Sequence, residues 1–324
     1  MIKEEWKLKG SIDEPAPRGT DLAAEIRRMC KEKNAVVMAH YYTPGDVQDA
    51  ADFIGDSLAL ARKAAGTEAD VIVMCGVHFM AETCKLLCPG KKVLCLDLKA
   101  GCSLADSCPS AELEAMKRSH PGHTVVSYVN TTAAVKALTD VVVTSGNAER
   151  VVGKLPEDEK IIFGPDYNLG DYINGATGRR MLLWRGGCHV HERFTAEALR
   201  RLKACHPGAV VMAHLECKAD VLAEADVKGS TAVMLEYAAA HPELTYIVAT
   251  EAGILHEMRR RCPSTEFIAV PPSTGDARNE CEYMKMNTLL KLYNTLKYEW
   301  PEVNVPDDIA QRAVKPIERM LEMS

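Results

Sequence analysis

One unit of sequence written three times is the strongest constraint on how this chain folds. Three apolar runs resemble one another: AVVMAHYY at 35–42, TVVSYVN at 124–130 and AVVMAHLE at 209–216. The second and third follow charged helical stretches and a His-Pro-Gly turn signal, His120-Pro121-Gly122 and His206-Pro207-Gly208. Each run leads through a short helix and a small or acidic approach to a serine. The spacing is 17 residues from His40 to Ser57, 17 from Tyr128 to Ser145 and 16 from His214 to Ser230. A helix, a third strand, another short helix and a fourth strand follow each serine. Each fourth strand then enters a loop that carries a cysteine: Cys102, Cys188 and Cys281.

The strand-like runs are continuously apolar rather than alternating, which suits strands buried on both faces of a parallel sheet. Strands that alternate with helices predict an α/β fold. The expected architecture is three α/β/α domains related by an approximate threefold axis, each with a short, mostly parallel sheet, around a central cavity. The expected boundaries are 21–108, 109–194 and 195–281, with 282–324 as C-terminal helices packing on the repeats. Pro301 and Pro306 separate two such helices. The first 20 residues carry little pattern and read as an arm.

Composition narrows the function. Lys plus Arg is 39 against 45 for Asp plus Glu, a net charge of −6. A nucleic-acid-binding face normally needs basic excess, so nucleic acid is not an expected partner. The opening MIKEEWKLKG lacks the apolar core of a secretory signal, and no run reaches membrane-spanning length. The expectation is a cytoplasmic protein with no membrane partner. Its 12 cysteines then point to metal or redox chemistry rather than disulfides. No Cys-x-x-Cys pair occurs, so a metal site must gather cysteines from distant segments. Most of the 12 are expected to be bland; Cys75 and Cys95 lie inside apolar runs and pack as small hydrophobes.

In open parallel sheets, ligands bind beyond the carboxyl ends of the strands. The first strands end in His40 and Tyr42, Tyr128 and Asn130, and His214 and Glu216. Their spacing of two puts each pair on one side of an extended segment. A structural strand end does not need polar pairs three times over. Ser57, Ser145 and Ser230 stand at expected helix starts, where the ordinary role is N-capping. Helix N-termini also bind phosphate and carboxylate, and three in register, with Thr231, suit a substrate with several anionic groups. A lone loop cysteine is usually inert. Three in matching places give three thiolates, enough for three corners of a [4Fe–4S] cluster with one iron open, or for a Cys₃ zinc site. An open iron acts as a Lewis acid. His189, beside Cys188, is placed as a donor to substrate. His191 shares that segment, and His78, His123 and His256 read as surface or packing residues.

These residues resemble the quinolinate synthase family. The likeness runs from about Asn34 to Leu296 and rests on AHYY (39–42), DFIGDS (52–57), FMAETCK (79–85), YVNTTA (128–133), TSGNA (144–148), GPDYNL (164–169), GCHVH (187–191), HLEC (214–217), GST (229–231) and CEYMKMNT (281–288). It implies a transferase of pyridine nucleotide (NAD) biosynthesis that joins iminoaspartate to dihydroxyacetone phosphate, giving quinolinate, phosphate and two waters. It implies one [4Fe–4S] cluster per chain on Cys102, Cys188 and Cys281. It implies substrate contacts at His40, Ser57, Tyr128, Asn130, Ser145, His189, His214, Glu216, Ser230 and Thr231, with Glu216, His214, Tyr42, His40 and Tyr128 as the catalytic set. Pathway logic makes an aspartate oxidase or dehydrogenase the source of iminoaspartate. Two departures stand out: position 41 is Tyr where relatives carry Asn, and Cys281 stands alone where some carry a Cys-x-x-Cys-x-x-Cys run. Two other readings fit three cysteines on three repeats. One is a diphthamide-synthesis-type cluster enzyme, the other an iron–sulfur electron-transfer module, which needs a fourth ligand such as Cys84, Cys88 or Cys108.

Overall fold

The computed structural model describes residues 2–272 and 279–324. Part of the loop expected to lead to Cys281, residues 273–278, lies outside the described residues. The fold is α/β, as the sequence predicts, with three four-stranded sheets flanked by helices. The first holds β1 (Ala35–His40), β2 (Phe53–Gly55), β3 (Val71–Cys75) and β4 (Lys92–Cys95) in the order β2-β1-β3-β4. The second holds β5 (Thr124–Tyr128), β6 (Val141–Val143), β7 (Ile161–Gly164) and β8 (Leu182–Leu183) in the order β6-β5-β7-β8. The third holds β9 (Val210–His214), β10 (Val227–Gly229), β11 (Tyr246–Ala249) and β12 (Phe267–Ala269) in the order β10-β9-β11-β12. Every pairing within them is parallel.

The register repeats as closely as the order. His40 pairs with Gly55, Tyr128 with Val143 and His214 with Gly229. One aspartate fastens each first strand to its second. Asp52, Asp140 and Asp226 donate their N–H groups to Val37, Val125 and Val211, and each takes the N–H of the same valine on Oδ2, at 2.8, 2.7 and 2.9 Å. The fastening fixes where the second strand begins, and so where the serine beyond it stands.

The chain divides into two compact units, residues 1–102 with 282–314, and 103–281 with 315–324. In the first, Val37, Ala39, Val71, Val73 and Leu94 of the sheet bury against Ile26 and Met29 on one helix and Leu292 and Leu296 on another. Removal of each Val or Leu side chain from water contributes about 1.5–3 kcal/mol. The second unit has cores of its own, one around Val211, Ala213, Ile247 and Phe194, another around Val125, Val135 and Ile162. The opening residues are not a loose arm. They form the helix Glu4–Lys9, Trp6 and Ile12 are buried, and Ser11 bridges to Asp97 just past β4. Two isolated apolar side chains give no periodicity, yet each finds a place in the core. Among the described residues, no helix is long and apolar enough to cross a membrane.

Candidate active site

The strand order reverses between the first and third strands of each sheet, and the crevice beyond the strand ends at such a switch point is where ligands bind. The polar pairs predicted from the sequence occupy those ends. In β1 and β9 the local geometry is the same: His40 Nδ1 accepts the N–H of Tyr42 at 3.2 Å, and His214 Nδ1 accepts the N–H of Glu216 at 3.3 Å. A ring nitrogen that accepts has no proton, so in both neutral imidazoles the proton sits on Nε2. The His40 and Tyr42 rings meet edge to face, with centroids 4.6 Å apart.

Glu216 is the hub of the second unit. The Tyr128 phenol donates to its Oε1 at 2.5 Å, and His191 Nδ1 lies 3.0 Å from its Oε2. His191 Nε2 faces the Thr250 hydroxyl at 2.9 Å. A hydroxyl that donates there leaves the His191 proton on Nδ1, aimed at the carboxylate and the reverse of the His214 tautomer. All four side chains are nearly inaccessible: Tyr128 4%, His191 1%, His214 3% and Glu216 4% exposed.

Burial alone pushes the Glu216 carboxyl up. The His191 and His214 rings and the hydrogen bonds from His191 and Tyr128 outweigh it and hold the group well below the usual carboxylate range. Asp166, also buried, goes the other way: desolvation and the Glu216 charge push its carboxyl well above normal. Burial lowers His214 to about 4, so this ring is neutral near pH 7. Burial and the adjacent carboxylate raise Tyr128 well above its ordinary value, so it stays a phenol and a donor.

The remaining predicted residues divide. Ser145 lies beside the Tyr128 phenol, and a Cβ on neighbouring Gly146 would meet the Ser230 hydroxyl at 3.4 Å. Tyr128, Ser145, His214, Glu216 and Ser230 are therefore gathered in one unit. Thr231 is buried at the first turn of its helix, and Asn130 is half-buried just past β5. Only Ser230 caps a helix, accepting from the Val233 N–H at 3.4 Å. Asp56 takes that role beside Ser57, and Asn147 precedes the helix after Ser145. His189 turns to Ser103, whose hydroxyl lies 2.9 Å from its Nδ1. His191, given no role in the sequence reading, stands on Glu216 instead. One signal for it existed: His191 lies only three residues past Cys188, close enough for one turn of chain to bring the two side chains together.

None of the 12 cysteines is joined in a disulfide. Burial pushes Cys30 up to about 11 and Cys95 and Cys108 up to about 12, as befits inert packing thiols. Cys102, Cys188 and Cys281 are half-buried instead, each in the loop after the fourth strand of its repeat. Thiols kept out of the packed core and unbridged are the donors an iron–sulfur cluster takes, so the residues fit that group. Cys188 Sγ, His191 Nδ1 and a Glu216 oxygen also lie within 4.8 Å of one another, a donor set able to hold a metal ion.

The family model described as Quinolinate synthetase A protein matches residues 24–322. The chain is 51% identical over 311 residues to the quinolinate synthase of Nostoc sp. (strain PCC 7120), covering 96% of each. It is 52% identical over 305 residues to that of Chloroherpeton thalassium, covering 94% of this chain and 95% of the relative. Against that of Cyanophora paradoxa it is 49% identical over 303 residues, covering 94% and 92%.

Proposed function

The chain belongs to the quinolinate synthase family, and from that premise we propose that it condenses iminoaspartate with dihydroxyacetone phosphate to give quinolinate, phosphate and two waters. In this reading the three repeats surround one cavity, and Cys102, Cys188 and Cys281 hold a [4Fe–4S] cluster beside it. When bound, the cluster supplies one iron without a cysteine ligand, a Lewis acid toward oxygen and carboxylate groups. The protein is a cytoplasmic transferase, fed by an aspartate oxidase or dehydrogenase.

The chain's own groups handle protons and orientation. Ketose-phosphate isomerisation removes a proton from the carbon beside a carbonyl, which needs a base. Glu216 is assigned that role as a buried carboxylate with lone pairs to spare beyond the bonds from Tyr128 and His191. His214, neutral with its proton on Nε2, donates to the substrate oxygen next to that carbon. Tyr128 and His191 fix the carboxylate's direction. His40 and Tyr42 serve the second deprotonation or hold the departing hydroxyl. Asn130, Ser145 and Thr231 orient the substrate carboxylates, and Ser57, Ser230 and His189 contact phosphate and carbonyl.

The single observation that carries the reading is the buried Glu216 carboxyl, held by the Tyr128 phenol and His191 beside the His214 ring. The test is anaerobic incubation of the cluster-loaded protein with both substrates, with quinolinate measured by chromatography and phosphate by release assay. Equal amounts of both products are expected. A protein with its full complement of iron and sulfide that forms no quinolinate would sink the reading.

A further inference from the structure

In the second repeat, β7 ends at Gly164, and two residues on stands the fully buried Asp166. Its Oδ1 accepts the N–H of Leu169 at 2.8 Å, capping the helix Tyr167–Thr177. Its Oδ2 accepts the backbone N–H of Cys188 at 3.2 Å. In the third repeat, β11 ends at Ala249, and two residues on stands Glu251, 1% exposed. Its Oε2 accepts the N–H of Gly253 at 2.7 Å, and its Oε1 accepts the backbone N–H of Cys281 at 3.0 Å. One carboxylate, in the same place of two repeats, ties the turn after the third strand to the backbone of a cysteine. The first repeat has Val77 at this position, and there the His78 N–H donates to the Ala100 carbonyl at 2.7 Å.

We propose that Asp166 and Glu251 are positioning residues that set the backbone of Cys188 and Cys281 for the iron–sulfur cluster. The inference rests on the cluster reading above and adds two residues to it. Burial of a carboxylate costs several kcal/mol unless it is well hydrogen-bonded. A turn or a helix start needs only one acceptor, which Ser, Thr or Asn supplies at lower cost. The second oxygen is what a carboxylate adds, and in both repeats that oxygen is on the cysteine N–H. Each bond fixes the cysteine Cα before any metal arrives, so no loop has to be ordered when the cluster binds. It also occupies an N–H that is otherwise free to bond a sulfur, and hydrogen bonds to sulfur set a cluster's reduction potential.

The test compares cluster lifetime in full-length Asp166→Ala, Glu251→Ala, Glu251→Gln and Glu257→Ala with the parent protein. All are purified and reconstituted without oxygen, then challenged with an iron chelator. Loss of visible absorbance gives the lifetime, thermal unfolding the stability, and redox titration the potential. Outer residues that orient metal ligands change metal affinity by about 10–100-fold, so at least a tenfold faster loss is expected for both alanine variants. Glu251→Gln keeps one acceptor oxygen and should fall between Glu251→Ala and the parent. Its potential should move positive even where its lifetime is partly restored. Glu257 is equally buried but is bonded to Arg260 and Arg261, so its removal should lower stability and leave the lifetime unchanged. Should Asp166→Ala fail to fold for want of its helix cap, the Glu251 pair decides. Folded variants with parental lifetimes and potentials overturn the inference alone. A parent that assembles no cluster overturns it together with the reading on which it rests.

Discussion

The tips of β1 and β9 are built alike and differ in what they carry. Each ends in a histidine whose Nδ1 accepts the N–H two residues on, so each directs Nε2–H away from the strand. Beside His40 stands Tyr42, half-buried and packed edge to face. Beside His214 stands Glu216, shielded and held ionised. One backbone device therefore serves two chemistries. The repeat fixes where a side chain points, and the residue type with its burial fixes which proton it can move.

Removal of the charge at the third tip should produce the largest difference. Glu216→Gln should lower quinolinate formation by about a thousandfold, the range of a lost general base, with the fold retained by circular dichroism. A loss below tenfold would move the base to the first tip. Stability should follow His214 next. Its folded value is about 4 against 6.5 when unfolded, so between those values the unfolded chain binds a proton that the folded chain does not. The stabilisation is complete above pH 6.5 and drains away as pH falls toward 4, by up to about 3 kcal/mol. Denaturant unfolding at pH 7 and 5 measures it, and His214→Gln should flatten that part of the slope. At the first tip, Tyr42→Phe removes one hydrogen bond and should lower turnover about ten- to a hundredfold. Parity with Glu216→Gln would erase the contrast between the tips. The smallest effects belong to the shared scaffold. Asp52→Ala, Asp140→Ala and Asp226→Ala should each cost about 1 kcal/mol, since each removes one part-buried hydrogen bond made by an exposed aspartate. Unequal losses would mean that the three fastenings are not equivalent.

Much of this was legible because buried parallel strands announce themselves. AVVMAH occurs unchanged at 35–40 and at 209–214, and each copy runs straight into its polar tip. The second strands were harder to read. Phe53–Gly55 and Val227–Gly229 are three residues long and carry no apolar run, so only the serine beyond them marked their place. The aspartates that fasten them went unread, since their partner is backbone N–H and leaves no mark in sequence. Helix caps misled for a related reason: Asp56 beside Ser57 takes the free N–H of Ala59, and the helix after Ser145 starts past Asn147 with no side-chain cap. His191 reaches Glu216 while His189 faces Ser103 because the chain turns at 189–190 before the 3-10 helix that starts at His191. Burial of Trp6 and Ile12 could not be inferred from periodicity, because their partners lie far along the chain.

Iron and sulfide per chain in anaerobically reconstituted Cys102→Ser, Cys188→Ser and Cys281→Ser, with Cys84→Ser as the packed-thiol control, test the central claim most directly. The account predicts about four irons and four sulfides in the parent and in Cys84→Ser, and cluster lost or failing to assemble in each of the other three. Full occupancy in any of those three, or loss in Cys84→Ser alone, would contradict it.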